Sequence, residues 1–170
     1  VDIETTGGNN SYNRITEIGM VKLVGGKEVD RFQTLLNPQR RIPSSITRLT
    51  GISDDMVADA PLFAEVADHI ASFTEDAVFV AHNVNFDYGF IKQEFARLEQ
   101  PFRRPKMCTV REMRRTHPGL SSYSLANLTK HFHIDMEQHH RALSDAKAAA
   151  ELLKLAFEKD DEGFSVGDNV

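Results

Sequence analysis

Val1-Asp2-Ile3-Glu4-Thr5-Thr6-Gly7-Gly8 opens the chain, and the reading of everything after it depends on this stretch. Asp2 and Glu4 alternate with the branched apolar residues Val1 and Ile3, which is the pattern of a strand. A strand repeats its facing every two residues, so both carboxylates point to one side. Two carboxylates that close repel each other, and partial burial makes the repulsion costlier. A divalent cation removes that cost. Thr5-Thr6-Gly7-Gly8 then reads as a tight turn able to bring backbone amides close to a ligand. The expectation is a metal site at the carboxyl end of a strand, acting on phosphate. The chain also starts inside this strand, and apolar residues are expected upstream of Asp2.

The bulk properties are compatible with that site. The chain has 170 residues, 41% hydrophobic and 26% charged, which suits one domain with a real core. No apolar run approaches the roughly 18 residues that a membrane span needs, and no signal peptide is visible. The single cysteine, Cys108, excludes an internal disulfide and fits an intracellular, cytoplasmic setting. A formal charge of -5 argues against a protein that coats polyanions, but not against carboxylates gathered for metal. The domain is expected to run over residues 1–158, with 159–170 an acidic, glycine-containing tail.

Working outward, Gly7 to Asn13 is a polar loop. Ile15 to Val24 reads as a strand, Gly25-Gly26 as a hairpin turn, and Val29 to Leu36 as the returning strand. Pro43-Ser44-Ser45 starts a short helix that Gly51 ends, and Ser53 to Met56 suggests another short turn. Leu62, Val66, Ile70 and Phe73 form the stripe of a helix opened by Pro61. Ala77 to Ala81 has the continuous apolar character of a buried strand, and the parallel kind is expected. Phe86, Phe90, Ile91, Phe95 and Leu98 line a helix over 85–99. Met107 to Val110 is read as a strand, followed by a basic helix to His117, a helix from Ser124 to His131, and a last helix from about Arg141 to Phe157. This order predicts an α/β layer fold.

Two further acids fall where such sheets place their sites. Asp87 follows the buried strand at the start of a helix, and sites gather at the carboxyl ends of strands. A first-turn acid also has a purely structural explanation in the helix dipole. Asp145 lies on the last helix, where pairing with Arg141 or Lys147 is the plain alternative. His140 precedes Asp145 by five residues, a poor spacing for one helix face, so it belongs in the loop leading into the helix. His139 is adjacent, and residue physics alone leaves both open. Arg103, Arg104, Lys106, Arg111, Arg114 and Arg115 form the one strong basic concentration, either a solvated face or a surface that tracks phosphates.

Three motifs now stand in order: Asp2-Ile3-Glu4-Thr5-Thr6-Gly7, His82-Asn83-Val84-Asn85-Phe86-Asp87 and His140-Arg141-Ala142-Leu143-Ser144-Asp145. With Ile15-Thr16-Glu17-Ile18-Gly19 and Leu49-Thr50-Gly51-Ile52 between them, the chain resembles the DnaQ-like 3′–5′ exonucleases of the DEDD superfamily, histidine subgroup. Within that family it is similar to the proofreading epsilon subunit of bacterial DNA polymerase III and its stand-alone relatives. The resemblance implies a ribonuclease H-like mixed five-stranded sheet with helices on both faces. It implies that Asp2, Glu4, Asp87 and Asp145 hold two Mg2+ ions, with Mn2+ able to substitute. His140 rather than His139 becomes the base that takes the proton from water, a task that suits an imidazole, and Glu4 shares in the catalytic site. Thr5, Thr6, Gly7, Asn83 and Phe86 are implied to bind the terminal nucleotide, although the spacing of Phe86 and Phe90 also suits core. The implied substrate is a single-stranded or frayed 3′ DNA end, with release of nucleoside 5′-monophosphates. The implied partners are a DNA polymerase subunit or a larger parent chain, and no membrane. Within this chemistry the alternative is an exonuclease acting on RNA or short oligonucleotides. From another class, an inactive nucleic-acid-binding module is disfavoured because all four acids and the histidine are present.

Overall fold

The computed structural model describes residues 1–137 and 140–159. His139 and residues 160–170, nearly all of the expected tail, lie outside the described residues. In chain order the elements are β1 (Asp2–Thr5), β2 (Ile15–Val24), β3 (Lys27–Leu35), α1 (Ser44–Thr50), α2 (Asp54–Val57), α3 (Phe63–Thr74), β4 (Phe79–Ala81), α4 (Val84–Arg97), β5 (Lys106–Cys108), α5 (Thr109–Thr116), α6 (Leu125–His131) and α7 (Ala142–Lys159).

Local chemistry explains most boundaries. Gly25 and Gly26 both take positive φ and turn β2 into β3. Gly51 ends α1 in the left-handed conformation, its N–H donating to the Thr47 carbonyl at 2.8 Å. At the start of α3 the Glu65 carboxylate accepts from the Leu62 N–H at 2.7 Å. Ser124 caps α6 by accepting from the Asn127 N–H at 3.1 Å. The segment read as a strand over Met107–Val110 ends earlier, at Cys108, because Thr109 and Val110 already open α5.

β1, β2 and β3 form an antiparallel sheet in that order, and β4 pairs with β5 in parallel. The expected five strands are therefore present as two ladders. The Val1 nitrogen donates to the Val80 carbonyl at 2.7 Å and lays the start of β1 beside β4. With four residues in β1 and three in β4, the elements that meet here are short.

Helices cover both faces of the antiparallel sheet. Ile18 and Met20 of β2 belong to the main core with Phe63, Ala67 and Ile70 of α3 and Phe90, Ile91 and Phe95 of α4. Gly19 lies between them and faces the other way, as alternation along a strand requires. There it meets the backbone of Ala142 and Leu143 at the start of α7. A second cluster joins Met113 of α5, Leu128 of α6, and Leu152 and Ala156 of α7. Among the described residues no helix is long and apolar enough to cross a membrane.

Candidate active site and metal centre

The burial of β1 alternates, with Ile3 and Thr5 buried and Asp2 and Glu4 less so, which leaves the two acids on one face. β1 pairs with β2 so that Glu4 lies opposite Glu17, and a register shift between Glu4 and Thr5 bends the strand as it enters the turn. Asp87, buried in the first turn of α4, reaches across to this strand. Its Oδ2 accepts from the Ile3 N–H at 3.1 Å, between the two acids of β1. Asp145 sits in the first turn of α7 at only 8% exposure, so the exposed surface pair considered for it does not describe its setting. His140 precedes that helix, exposed, with φ of 60°.

These elements converge. One ligand atom each from Glu4, His140 and Asp145 lies within 4.8 Å of the others, a cluster that could hold a metal ion. Asp2 Oδ2 is buried with no hydrogen-bond partner among the described residues. An orphaned carboxylate oxygen beside other carboxylates is what an oxygen-seeking cation would satisfy. The electrostatics agree. Burial, with added repulsion from Asp87, Asp145 and Glu4, pushes the Asp2 carboxyl well above its usual range. Burial and the charges of Asp145, Glu17 and Asp87 raise Glu4 to about 8, against a smaller downward pull from Arg141. Burial raises Asp87 to about 7, while the Val1 amino group and the Ile3 N–H pull it down. The donor set therefore fits a divalent cation, which would hold these groups in their charged forms.

The other candidate residues lie on the turn after β1 and at the start of α4. The Thr5 hydroxyl donates to the Gly7 carbonyl at 2.8 Å. Thr6, 1% exposed, donates to Asn13 Oδ1 at 2.9 Å and accepts from the Arg14 N–H at 3.1 Å, so its hydroxyl shapes the loop. Gly7 packs closely on Asn13 there: a Cβ would lie 2.6 Å from Asn13 Oδ1, so that side chain would have to shift. Asn83 is exposed and left-handed, with φ of 69°, just before α4. Phe86 leans on Phe90 at 4.9 Å between ring centroids yet stays 37% exposed, so it presents an aromatic face next to Asp87. His82 is tied on both ring nitrogens, at 2.8 Å to the Thr109 hydroxyl and 2.7 Å to the Tyr123 carbonyl, and it orients the end of β4.

Two buried acids outside the three motifs support the site. Glu94 on α4 pairs with Arg14 at 2.8 Å and Arg97 at 3.3 Å, and Arg97 donates to the Asn10 carbonyl at 2.8 Å. This pins the loop after β1 onto α4. Glu17 on β2 pairs with Arg141 at 2.7 Å. The signal for both was present, since an acid inside an apolar strand or stripe needs a partner, but the partners lie far away in sequence. The basic concentration divides. Arg104 turns inward and donates to the Ala71 and Thr74 carbonyls at the end of α3, both at 3.1 Å. Arg111, Arg114 and Arg115 share the exposed side of α5.

With the geometry in place, comparison with known proteins is direct. The RNase_T model, described as "Exonuclease", matches residues 1–153. The DNA polymerase III PolC-type chain of Clostridium perfringens is 42% identical over 167 residues, covering 98% of this chain and 12% of that protein. The 3′-5′ exonuclease DinG of Staphylococcus epidermidis is 38% identical over 161 residues, 94% of this chain and 18% of that protein. This chain thus spans a small part of either relative. Among solved structures, Exonuclease X in complex with 5′ overhanging duplex DNA superposes with a TM-score of 0.80 at 28% identity, covering 99% of this chain and 94% of that one. The zinc-bound E. coli exonuclease I complex with single-stranded DNA, at 19% identity and a TM-score of 0.85 over 95% of this chain and 40% of that one, shares the fold. The family model covers residues 1–153 and the relatives cover nearly the whole chain, which leaves one conclusion: this chain belongs to the RNase_T family of exonucleases, within the DEDD 3′–5′ exonucleases.

Proposed function

We propose that this domain removes nucleotides from the 3′ end of single-stranded or frayed DNA, releasing nucleoside 5′-monophosphates in proofreading or repair. The observation that carries this reading is the meeting of Glu4, His140 and Asp145 within 4.8 Å, beside the unsatisfied oxygen of Asp2. Asp2, Glu4, Asp87 and Asp145 would hold two Mg2+ ions, and Mn2+ would substitute, because both favour carboxylate and water. Such ions generate a nucleophile from water at neutral pH and offset charge on the phosphate. His140, exposed in the loop before α7, would accept the proton of the attacking water. Thr5, Thr6, Gly7 and Asn83 would hold the terminal sugar, and the exposed face of Phe86 would stack on a base.

DNA as substrate is supported by the polymerase relatives and by the duplex bound in the Exonuclease X structure. Those relatives also support a larger parent chain or polymerase as partner. Degradation of matched 3′-labelled DNA and RNA strands with Mg2+ tests the reading. DNA is expected to be shortened from its 3′ end, and Asp2→Ala is expected to abolish hydrolysis with an unchanged circular dichroism spectrum. A strong preference for RNA, or wild-type turnover by Asp2→Ala, would overturn it.

A further inference from the structure

Ile15-Thr16-Glu17-Ile18-Gly19 stands out in the sequence, yet the proposed chemistry does not use it. Glu17 is fully buried in a largely apolar strand, directly across from Glu4. A buried charge is costly unless it is paired and hydrogen-bonded. Its carboxylate accepts from Arg141 Nε at 3.0 and 3.2 Å, from Arg141 Nη2 at 2.7 Å, from the Ala142 N–H at 2.9 Å and from Gln33 Nε2 at 3.4 Å. Arg141 directly follows His140, and Ala142 is the first residue of α7. A side chain of β2 thus supplies the acceptor that the start of α7 needs, a task usually done by a local cap. Gly19 adds a second constraint. A Cβ there would lie 2.4 Å from the Leu143 nitrogen and 2.5 Å from the Ala142 carbonyl carbon, so the start of α7 rests directly on the β2 backbone.

We propose that Glu17 is a positioning residue for hydrolysis: through Arg141 and the Ala142 amide it sets where His140 and Asp145 stand relative to Glu4 on the neighbouring strand. This rests on the roles proposed above for His140 and Asp145. The bidentate guanidinium fixes orientation as well as distance, which a single contact would not. His140 is held at φ of 60°, an uncommon conformation for a residue with a side chain, so the residue after it must be firmly anchored. Pairing with Arg141 also offsets part of the charge that Glu17 places beside Glu4.

Two measurements on Glu17→Gln and Arg141→Met test this. Arg141→Met leaves the buried Glu17 without its cation and therefore destabilises the fold, so Glu17→Gln, which removes the charge and keeps the shape, is the decisive variant. The first measurement is amide hydrogen exchange without metal or substrate. Residues 140–146 should exchange about tenfold faster or more in Glu17→Gln, with Leu152 and Leu153 of the same helix unchanged. The second is steady-state hydrolysis of a 3′-labelled oligonucleotide. For both variants kcat should fall about tenfold or more with KM within about twofold, the scale on which misplaced reacting groups lose rate, and Arg141→Lys should recover part of it. Unchanged exchange, faster exchange spread evenly along α7, or a raised KM with intact kcat would each overturn the proposal. A wild-type protein that hydrolyses nothing would refute the proposed function instead, and the exchange data would still decide the positioning.

Discussion

The acidic cluster should make the metal-free protein lose stability as pH rises, and Glu4→Gln isolates the effect. Glu4 titrates at about 8 in the folded chain, against an ordinary value of 4.5. A raised carboxyl pKa means that the folded state binds the proton more tightly than the unfolded state. Its stabilising share is fully present below pH 4.5 and is lost as pH climbs through about 8. At about 1.36 kcal/mol per pKa unit the full difference is roughly 4–5 kcal/mol. Glu4 is partly exposed, and it shares its repulsion with Asp87 and Asp145, so about half of that, roughly 2–3 kcal/mol, is a fairer figure. For a chain of this size that corresponds to roughly 5–10 °C in Tm. His82 works in the opposite direction, since burial lowers its pKa from 6.5 and its share of stability appears as pH rises. Comparing wild type with Glu4→Gln at each pH cancels that contribution. In chelator at pH 8 the glutamine variant should melt higher by the stated amount, and the two should converge below pH 4.5. Excess Mg2+ or Mn2+ should raise the wild-type Tm at pH 8 and raise the variant's less. Equal melting of the two proteins in chelator at pH 8, or a gap that does not depend on pH, would refute the electrostatic reasoning.

Four other outcomes follow from particular residues. His140→Gln should lower kcat by about 10²–10⁴, the range for removing a general base, without changing the circular dichroism spectrum, because the residue is exposed and outside α7. Gly19→Ala should cost about 1–3 kcal/mol in denaturant unfolding, since its Cβ would press on the backbone of α7 and rigid backbone cannot yield cheaply. Arg104→Ala should lower stability by about 1–2 kcal/mol, through its lost hydrogen bonds to the α3 carbonyls, and leave oligonucleotide affinity unchanged. Arg111→Ala with Arg114→Ala should do the reverse, weakening binding and flattening its salt dependence, as measured by fluorescence anisotropy across salt concentrations.

What could be read in the sequence follows from how far apart the interacting residues lie. Asp2 and Glu4 declare their shared face within a few residues, and the β2–β3 hairpin declares itself through Gly25-Gly26. Asp87 and Asp145 become readable only as members of spaced motifs, because nothing local says that α4 and α7 start beside β1. Glu17 and Glu94 are harder still: their arginine partners include Arg141, 124 positions away, and Arg14, 80 positions away. Arg104 misleads for the opposite reason, since it sits in a basic run but folds back onto carbonyls of α3. The structure supplies a criterion that the sequence lacks. Its buried glutamates, Glu17, Glu94 and Glu112, each have an arginine within salt-bridge distance, at 2.7, 2.8 and 2.7 Å. Those charges are compensated inside the fold. Asp2, Glu4 and Asp87 are instead pushed toward their neutral forms, and one oxygen of Asp2 has no hydrogen-bond partner among the described residues. Arginine next to those acids would have stabilised the apo fold and, under the proposed function, filled the place meant for a cation and a phosphate. On the proposed function, the uncompensated acids are the groups that would carry the chemistry, and the compensated ones belong to the frame that holds them.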